Sequence, residues 1–375
     1  MATVITRLEG GAGILALRGA RALDRGEFAA TIVTGSGDRL LDEAAAAGLE
    51  VRIEPVLRRP IDPRGDLRAF RALSALFAQQ NFDVVHTHTS KAGVLGRIAA
   101  RRAGVPRIVH TYHGFPFHEF QSRAQRGAYV AIERRLGRIT DVVLCVGTGV
   151  AVEAVRRGLA APQRIRTIGV AVDGGQPRTT EARDKARQAL GIPAGAAVVG
   201  AVGRLTYQKA PEDFIAALRQ LGRPDVVGVW VGGGELAGRI GQLAARAGRP
   251  GSPPAPRVVL AGERTDVPDI LPAFDVFALP SRYEGLPTSV VEAMRCEVPV
   301  VATAVNAVGD VVIPGETGLL VPPRRPDLLA AAIGYLLDRP AVAARMAATA
   351  RARIDGRFST AELLATLTEA YTGGR

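Results

Sequence analysis

Two glutamates, Glu284 and Glu292, stand eight residues apart, with a predicted strand end before them and a helix around the second. Pro287 suits the first turn of that helix, where its missing N–H costs nothing. Helical side chains lean toward the N-terminus, so the carboxylate of Glu292 is expected to point back toward the loop that carries Glu284. Free N–H groups at a helix N-terminus attract phosphate, and carboxylates accept hydrogen bonds from sugar hydroxyls. The N–H groups expected there belong to Gly285, Leu286 and Thr288.

The residues around these glutamates give the spacing its specificity. Residues 279–288 read Leu-Pro-Ser-Arg-Tyr-Glu-Gly-Leu-Pro-Thr, and Glu-Ala-Met follows at 292–294. This segment resembles the Glu-x7-Glu signature of family 4 glycosyltransferases of the GT-B fold. The alternative is an ordinary exposed helix with two acidic residues. The resemblance implies that Glu284 binds hydroxyls of the transferred sugar, Glu292 binds the ribose, and configuration is retained at the anomeric carbon.

Two cations follow an earlier predicted strand. Arg204 and Lys209 lie in the segment 203–209, Gly-Arg-Leu-Thr-Tyr-Gln-Lys, at the carboxyl end of that strand, which is the usual ligand edge of a parallel sheet. Fixed cations can compensate the charge of a diphosphate leaving group; a solvated loop is the alternative. The segment resembles the family's Gly-Arg-Leu…Lys motif, which implies a donor site at Gly203, Arg204 and Lys209.

No Asp-x-Asp pair and no cluster of metal-ligand residues occurs in the sequence. We therefore expect no metal and no other cofactor. The segment 262–268, which includes Arg264, resembles the family segment that lines the nucleotide base; a plain strand-to-helix turn is the alternative. Gly232-Gly-Gly-Glu235 lacks the Gly-x-Gly-x-x-Gly spacing of dinucleotide-binding oxidoreductases.

The first half offers weaker candidates. Gly10-Gly-Ala-Gly13 breaks a short apolar strand before a helix predicted from Ile14, and the resemblance implies that Gly11 lies under the donor phosphates. His113, in a His-Gly pair at a predicted strand end, is favoured over His118 for positioning the sugar, although a lone histidine there is more often structural. Candidate acceptor-binding residues are His86, Lys91 and Arg123, for which surface charge is the competing interpretation.

Alternating strand and helix patterns predict an α/β protein, and the resemblance implies GT-B architecture: two Rossmann-like domains whose parallel sheets face a central cleft. We expect an acceptor-binding domain at 1–173, a nucleotide-sugar domain at 174–356 and a final helix at 357–375 that packs back on the first. Four local expectations accompany this division. They are Asp66 as the N-cap of a helix to residue 80, a loop at 86–91, a last strand of the first half at 141–146, and a linker at 167–177.

The charge is uneven along the 375 residues. Residues 1–173 hold 25 Lys/Arg against 16 Asp/Glu (+9), and the remainder holds 23 against 20 (+3). Such an excess suits nucleic acid, anionic lipid or a phosphorylated acceptor; an Arg-rich, solvated surface is the alternative. The two cysteines are too few for a disulfide framework, and the sequence has no apolar stretch of about 20 residues that could span a membrane. We expect a cytoplasmic protein, with peripheral contact at the inner membrane face as a variant.

The function predicted is transfer of a sugar from a nucleotide sugar, with UDP favoured, to a hydroxyl of a glycan, a lipid-linked or a natural-product acceptor. A GT-B sugar-nucleotide epimerase would share the fold and donor, and its product would form without an acceptor. A non-catalytic nucleotide-sugar-binding protein would show no turnover. Nucleic-acid binding is suggested by charge alone, since no basic-aromatic recognition module is present.

Overall fold

The computed structural model describes residues 1–115, 122–172, 174–175, 177–246 and 256–373. The chain divides into two compact units: Met1–Ala171 together with Ser359–Arg375, and Val172–Phe358. Each unit is built on a single parallel sheet with helices between successive strands. In the described part of the chain, no helix is long and apolar enough to cross a membrane.

The first unit has a seven-stranded sheet in the order β3-β2-β1-β4-β5-β6-β7. Its strands are β1 Ala2–Ile5, β2 Thr31–Thr34, β3 Glu50–Ile53, β4 Val84–His88, β5 Arg107–Tyr112, β6 Val142–Val146 and β7 Ile165–Ile168. Its helices are α1 Gly10–Ala22, α2 Arg39–Ala46, α3 Pro63–Gln80, α4 Ser90–Arg102, α5 Arg123–Gly137, α6 Thr148–Arg156 and, from the end of the chain, α14 Thr360–Thr372. Helix α14 packs against α1.

The second unit has a six-stranded sheet in the order β10-β9-β8-β11-β12-β13. Its strands are β8 Ala197–Val202, β9 Val226–Val231, β10 Arg257–Gly262, β11 Val276–Leu279, β12 Val300–Thr303 and β13 Leu319–Val321. Its helices are α7 Thr180–Ala189, α8 Pro211–Leu221, α9 Ala237–Arg246, α10 Val267–Ile270, α11 Thr288–Arg295, α12 Pro326–Leu337 and α13 Pro340–Arg357. The parallel α/β architecture predicted for both halves is confirmed.

The central strands of the second sheet are nearly continuous apolar runs because helices cover both faces. Val199, Trp230 and Val276 lie in one core with residues of α8 and α12. A charged network joins this core to α7: the carboxylate of Asp275 accepts hydrogen bonds from Arg187 at 2.7 Å and from the Val198 N–H at 2.8 Å. Desolvation would raise the pKa of Asp275, but the nearby Arg178 guanidinium, together with the Val198 N–H and Arg187, holds it below its usual value. The network fixes β8 beside β11.

Several local predictions for the first half were wrong. The glycines at 10–13 form the first turn of α1 instead of a preceding loop. A Cβ on Gly13 would stand 2.9 Å from the Leu8 carbonyl carbon, so only glycine lets the helix begin so close to the strand end. Asp62, not Asp66, caps α3, because its side chain accepts from Arg64 N–H and Pro63 fills the first helical position.

The predicted loop at 86–91 is also wrong: β4 runs to His88, and α4 begins at Ser90. The first sheet does not end at 141–146, since Ile165–Ile168 pairs with β6 and overlaps the start of the predicted linker at 167–177. This strand escaped prediction because it lies at the sheet edge, where Arg166 and Thr167 face solvent and break the apolar pattern. Pro287 immediately precedes its helix, which begins at Thr288.

Candidate active site

The second sheet reverses its strand order between β8 and β11. The chain leaves these neighbouring strands in opposite directions, so the loops after them diverge and open a crevice at the carboxyl edge, where doubly wound sheets bind ligands. The loop after β8 carries Arg204 and Lys209, and the loop after β11 carries Glu284. The fold therefore brings the predicted cations and the first glutamate to one edge.

Lys209 and Glu284 form an ion pair, with 2.6 Å between Nζ and Oε1. Their side chains are 16% and 5% exposed, so water screens this pair little. Ser281 Oγ donates to the same carboxylate oxygen at 2.6 Å, and Gln208 Nε2 donates to the other at 3.2 Å. The carboxylate that the sequence assigns to a sugar thus holds the lysine assigned to a diphosphate.

Tight backbone packing around Gly203 and Gly232 fixes the position of Lys209. A Cβ on Gly203 would stand 3.1 Å from Lys209 Cε, and a Cβ on Gly232 would stand 2.2 Å from the Gly203 carbonyl oxygen. Leu205 N–H donates to the Gly233 carbonyl at 2.6 Å, and Trp230 Nε1 donates to the Gly203 carbonyl at 2.8 Å. The glycines after β9 therefore support the loop after β8. Their spacing had been considered only as a possible dinucleotide-binding motif.

The loop after β11 is held by a residue that sequence reasoning missed. Asn306, in the left-handed region at φ 42°, donates its side-chain N–H to the Glu284 carbonyl. Beyond that loop, the backbone N–H groups of Gly285 and Leu286 donate to no acceptor within the described residues. The N–H groups of Thr288 and Ser289, the first two residues of α11, likewise have no intrahelical acceptor, whereas those of Val290 and Val291 donate to the Pro287 carbonyl. This end of α11 can therefore receive an anion.

The other predicted donor residues differ in their surroundings. Arg204 is exposed, and its guanidinium has no ion-pair or hydrogen-bond partner among the described residues. Arg264 is bonded to Asp266 through both carboxylate oxygens, at 2.8 and 2.6 Å, and this bond lowers the pKa of Asp266. Glu292 is half-buried on α11, and Gly11 lies in the first turn of α1.

Histidines cluster where β4 and β5 end in the first unit. His113 Nε2 lies 2.9 Å from His88 Nδ1, and the rings of His86 and His88 are 4.1 Å apart. Burial lowers the pKa of His113 to about 4 and that of His86 to about 3, and it holds the pKa of His88 well below its ordinary value. These rings are neutral at pH 7. His113 is the partly exposed member, whereas His118 lies outside the described residues.

The three predicted acceptor-binding residues differ in their surroundings. His86 is 2% exposed, and its ring nitrogens lie 2.7 Å from the hydroxyls of Tyr371 and Thr111. Lys91 pairs with Asp66 at 2.6 Å and also donates to the Pro60 carbonyl. Arg123 is exposed at the start of α5. His86 and Lys91 hold the unit together, and their role in acceptor binding stays a prediction.

Comparisons with known proteins agree with this geometry. Residues 182–353 match the family model described as "Glycosyl transferases group 1", and residues 9–174 match "Glycosyltransferase Family 4". The chain is 32% identical over 327 residues to a D-inositol 3-phosphate glycosyltransferase of Kineococcus radiotolerans, covering 79% of this chain and 73% of that enzyme. This chain belongs to the family 4 glycosyltransferases.

Another relative is the UDP-Gal:alpha-D-GlcNAc-diphosphoundecaprenol alpha-1,3-galactosyltransferase of Escherichia coli. It is 34% identical over 261 residues, which cover 67% of this chain and 65% of that enzyme, so the match spans less than two thirds of its length. Among solved structures, Anabaena HepE in complex with UDP and glucose superposes with a TM-score of 0.83 at 23% identity over 99% of both chains. WaaG, a glycosyltransferase involved in lipopolysaccharide biosynthesis, gives 0.78 at 16% over the whole of both chains. The predicted GT-B fold is confirmed.

Proposed function

We propose that this glycosyltransferase moves a hexose from a UDP-sugar to an acceptor hydroxyl with retention of configuration and without a metal ion. The observation that carries the proposal is the largely buried Lys209–Glu284 pair at the carboxyl edge of a parallel sheet, on a loop that also carries Arg204, whose guanidinium has no partner among the described residues. One charged cluster thus offers a cation for a departing phosphate and a carboxylate for a sugar hydroxyl.

Hydrogen-bond capacity supports this double use. A lysine ammonium has three N–H donors, and Lys209 gives one to Glu284, which leaves two for phosphate oxygens. A carboxylate accepts at about four positions. Three on Glu284 are taken by Lys209, Ser281 and Gln208, so one remains for a sugar hydroxyl. The pair can stay intact while both partners bind the donor.

The diphosphate would be stabilised as the glycosidic bond breaks. Arg204, Lys209 and the free N–H groups of Gly285 and Leu286 supply fixed positive charge where negative charge develops, which is usually a large electrostatic contribution to catalysis. We assign Glu292 to the ribose hydroxyls and the turn at Arg264 to the base. With these groups present, a divalent cation is not needed for the leaving group, and the described residues contain no cluster of metal ligands.

A retaining, front-face path is what the family resemblance implies, and this charge placement is compatible with it. The departing phosphate oxygen takes the proton of the acceptor hydroxyl while that hydroxyl attacks the anomeric carbon on the same face. His113, with its pKa lowered by burial to about 4, is uncharged at neutral pH, so it would bind a sugar hydroxyl as a neutral hydrogen-bonding group. Its Nε2 is occupied by His88, which leaves Nδ1 for this bond.

Several relatives support a phosphate-bearing acceptor. The Escherichia coli enzyme acts on a diphosphoundecaprenol-linked sugar, and several relatives act on D-inositol 3-phosphate. For this chain we propose an anionic acceptor as well, consistent with the +9 excess in residues 1–173. The first unit would bind it.

Thermal unfolding with a panel of UDP-, GDP- and dTDP-sugars tests the donor. A ligand at 100 times its Kd stabilises by about 2.7 kcal/mol, so the correct donor should raise the unfolding temperature measurably. We expect UDP-sugars to protect the wild type and Arg204→Ala to lose most of that protection. Protection by GDP-sugars alone would contradict the base assignment. A changed sugar nucleotide without acceptor would indicate an epimerase, and protection without any turnover would indicate a sensor.

A further inference from the structure

The positive charge of this protein is concentrated in one stretch of the first unit. Residues 90–157 hold 12 Lys/Arg against 4 Asp/Glu, a net +8 out of +12 for the whole chain. Of the acidic residues, Glu133 is buried against Arg97, Glu153 is paired with Arg157, and Asp141 accepts the Ile108 N–H; Glu119 lies outside the described residues. The solvent therefore meets mainly arginines on this stretch.

Three helices of this stretch lie side by side on the sheet. Arg97 of α4 bonds Glu133 of α5 at 2.7 Å, and Arg134 of α5 donates to the Arg157 carbonyl at the end of α6, also at 2.7 Å. The three crossovers β4-α4-β5, β5-α5-β6 and β6-α6-β7 all step the same way along the sheet, so their common handedness puts these helices on one side. Their outward surfaces are therefore continuous.

Each helix exposes at least one aliphatic side chain and at least one arginine near its carboxyl end. We call this set of residues the basic helical face: Ile98, Arg101 and Arg102 of α4, Ile132, Arg135 and Arg138 at α5, and Val152, Val155 and Arg156 of α6. The four aliphatic side chains are 41–59% exposed. Spacings of three and four residues put Ile98 with Arg101 and Arg102, Ile132 with Arg135, and Val152 with Arg156 on the same side of their helices, while Arg138 and Val155 flank these pairs. Within the part of the chain that the structure describes, the guanidinium groups of Arg101, Arg102, Arg135 and Arg138 have no partner.

Helix stability accounts for only part of this pattern. Arginine in a last turn interacts favourably with the helix dipole, and this explains Arg101, Arg135 and Arg156 individually. It does not explain the exposed aliphatic residues. Within the described residues, the exposed large aliphatic side chains all lie in the first unit, four of them on this face and three, Ile53, Ile61 and Leu67, elsewhere. A partner for this face should therefore bind both the arginines and the aliphatic side chains.

We propose that the basic helical face docks on an anionic lipid bilayer. Each arginine near an anionic membrane surface contributes attraction to headgroups, and aliphatic side chains enter the interfacial region with a gain from burial. Nucleic acid would attract the arginines but gain nothing from Ile132 or Val155, and the residues that define the basic helical face include no aromatic side chain for base stacking. Docking would bring the enzyme to a lipid-linked acceptor. This purpose rests on the proposed function, but binding of the face to a membrane does not.

Vesicle co-sedimentation of the full chain tests the face. We expect pelleting with phosphatidylglycerol-containing vesicles, little with phosphatidylcholine alone, and weaker pelleting at physiological than at low salt. R101Q/R135Q removes two charges, each worth about 1 kcal/mol, so its vesicle affinity should fall about 30-fold. The matched control is K185Q/R345Q, which makes the same charge change at exposed, unpaired residues of the second unit and should fall less than about threefold.

A second variant separates lipid from other anions. I132S/V155S keeps every charge and should lower vesicle affinity about tenfold at both salt concentrations, because it removes the apolar contribution. Binding of a duplex oligonucleotide should be unchanged in this variant. Far-UV circular dichroism and thermal unfolding would check that each variant is folded. We expect this because substitutions at exposed positions usually change stability little.

Three results would overturn the proposal. They are no pelleting of the wild type with anionic vesicles at low salt, an equal loss in K185Q/R345Q, or unchanged vesicle binding in I132S/V155S. Protection by UDP-sugars is measured on the same variants and should stay at the wild-type level. Lost protection with retained vesicle binding would count against the proposed function alone, and lost vesicle binding with retained protection would count against the face alone.

Discussion

Replacing Lys209 by alanine should damage both stability and catalysis, and the two effects can be separated. The substitution leaves the Glu284 carboxylate, 5% exposed, without its cation. Breaking one partner of a buried pair costs about 3 kcal/mol or more, because the remaining charge stays desolvated. For a domain of this size, about 3 kcal/mol corresponds to an unfolding temperature lower by roughly 6–12 °C. Sugar transfer should fall about 100-fold or more, the usual effect of lost transition-state electrostatics.

Two further variants separate the effect on stability from the effect on catalysis. Arg204→Ala removes an exposed, unpaired guanidinium, so stability should change by less than about 0.5 kcal/mol while transfer falls about 100-fold. Lys209→Ala combined with Glu284→Gln removes the stranded charge, so most of the lost stability should return while activity stays low. Calorimetry and donor turnover on all four proteins give the comparison. A Lys209→Ala protein that unfolds at the wild-type temperature would refute the buried-pair reasoning, and near-normal turnover in both cation variants would refute the diphosphate assignment.

The remaining predictions concern the glutamates, the metal and the histidines. Glu292→Gln should weaken binding of free UDP, whereas Glu284→Gln should spare it and reduce transfer; equal losses of UDP affinity in a titration would contradict this division. Transfer should survive excess chelator, and activity that disappears with chelator and returns with magnesium or manganese would rule out metal independence. Acid should destabilise the first unit. The lowered pKa values of the buried His86, His88 and His110 mean that the unfolded chain binds more protons below about pH 6.5, so each can remove up to about 1.4 kcal/mol of stability per pH unit as pH falls toward the folded-state value. A denaturant midpoint unchanged between pH 7 and 5.5 would contradict that reasoning.

Local patterns predicted the second half of the chain well. The apolar strand at 276–279, the turn after it and the helix that contains Glu292 were all expected from residues within about 15 positions of one another. Alternating strands and helices likewise predicted both parallel sheets, because a buried parallel strand and its crossover helix carry strong periodic signals. Strands at a sheet edge have a weaker apolar periodicity, and the edge strand β7 was not predicted for that reason.

Pairings between distant residues were decided only by the tertiary structure. Lys209 and Glu284 are 75 positions apart, and no local signal indicates that one carboxylate serves both a lysine and a sugar. Asn306 reaches the Glu284 carbonyl through a left-handed backbone conformation that its sequence context does not predict.

The histidines show the same division. Sequence placed His86 among candidate acceptor ligands because of its residue type, but Tyr371, 285 positions away, lies 2.7 Å from its ring. Residue type and spacing determine which groups are available to do chemistry and which faces are apolar. Burial and partners determine which groups remain free to do it, and both depend on strand order and helix docking, which are set by contacts across the whole chain.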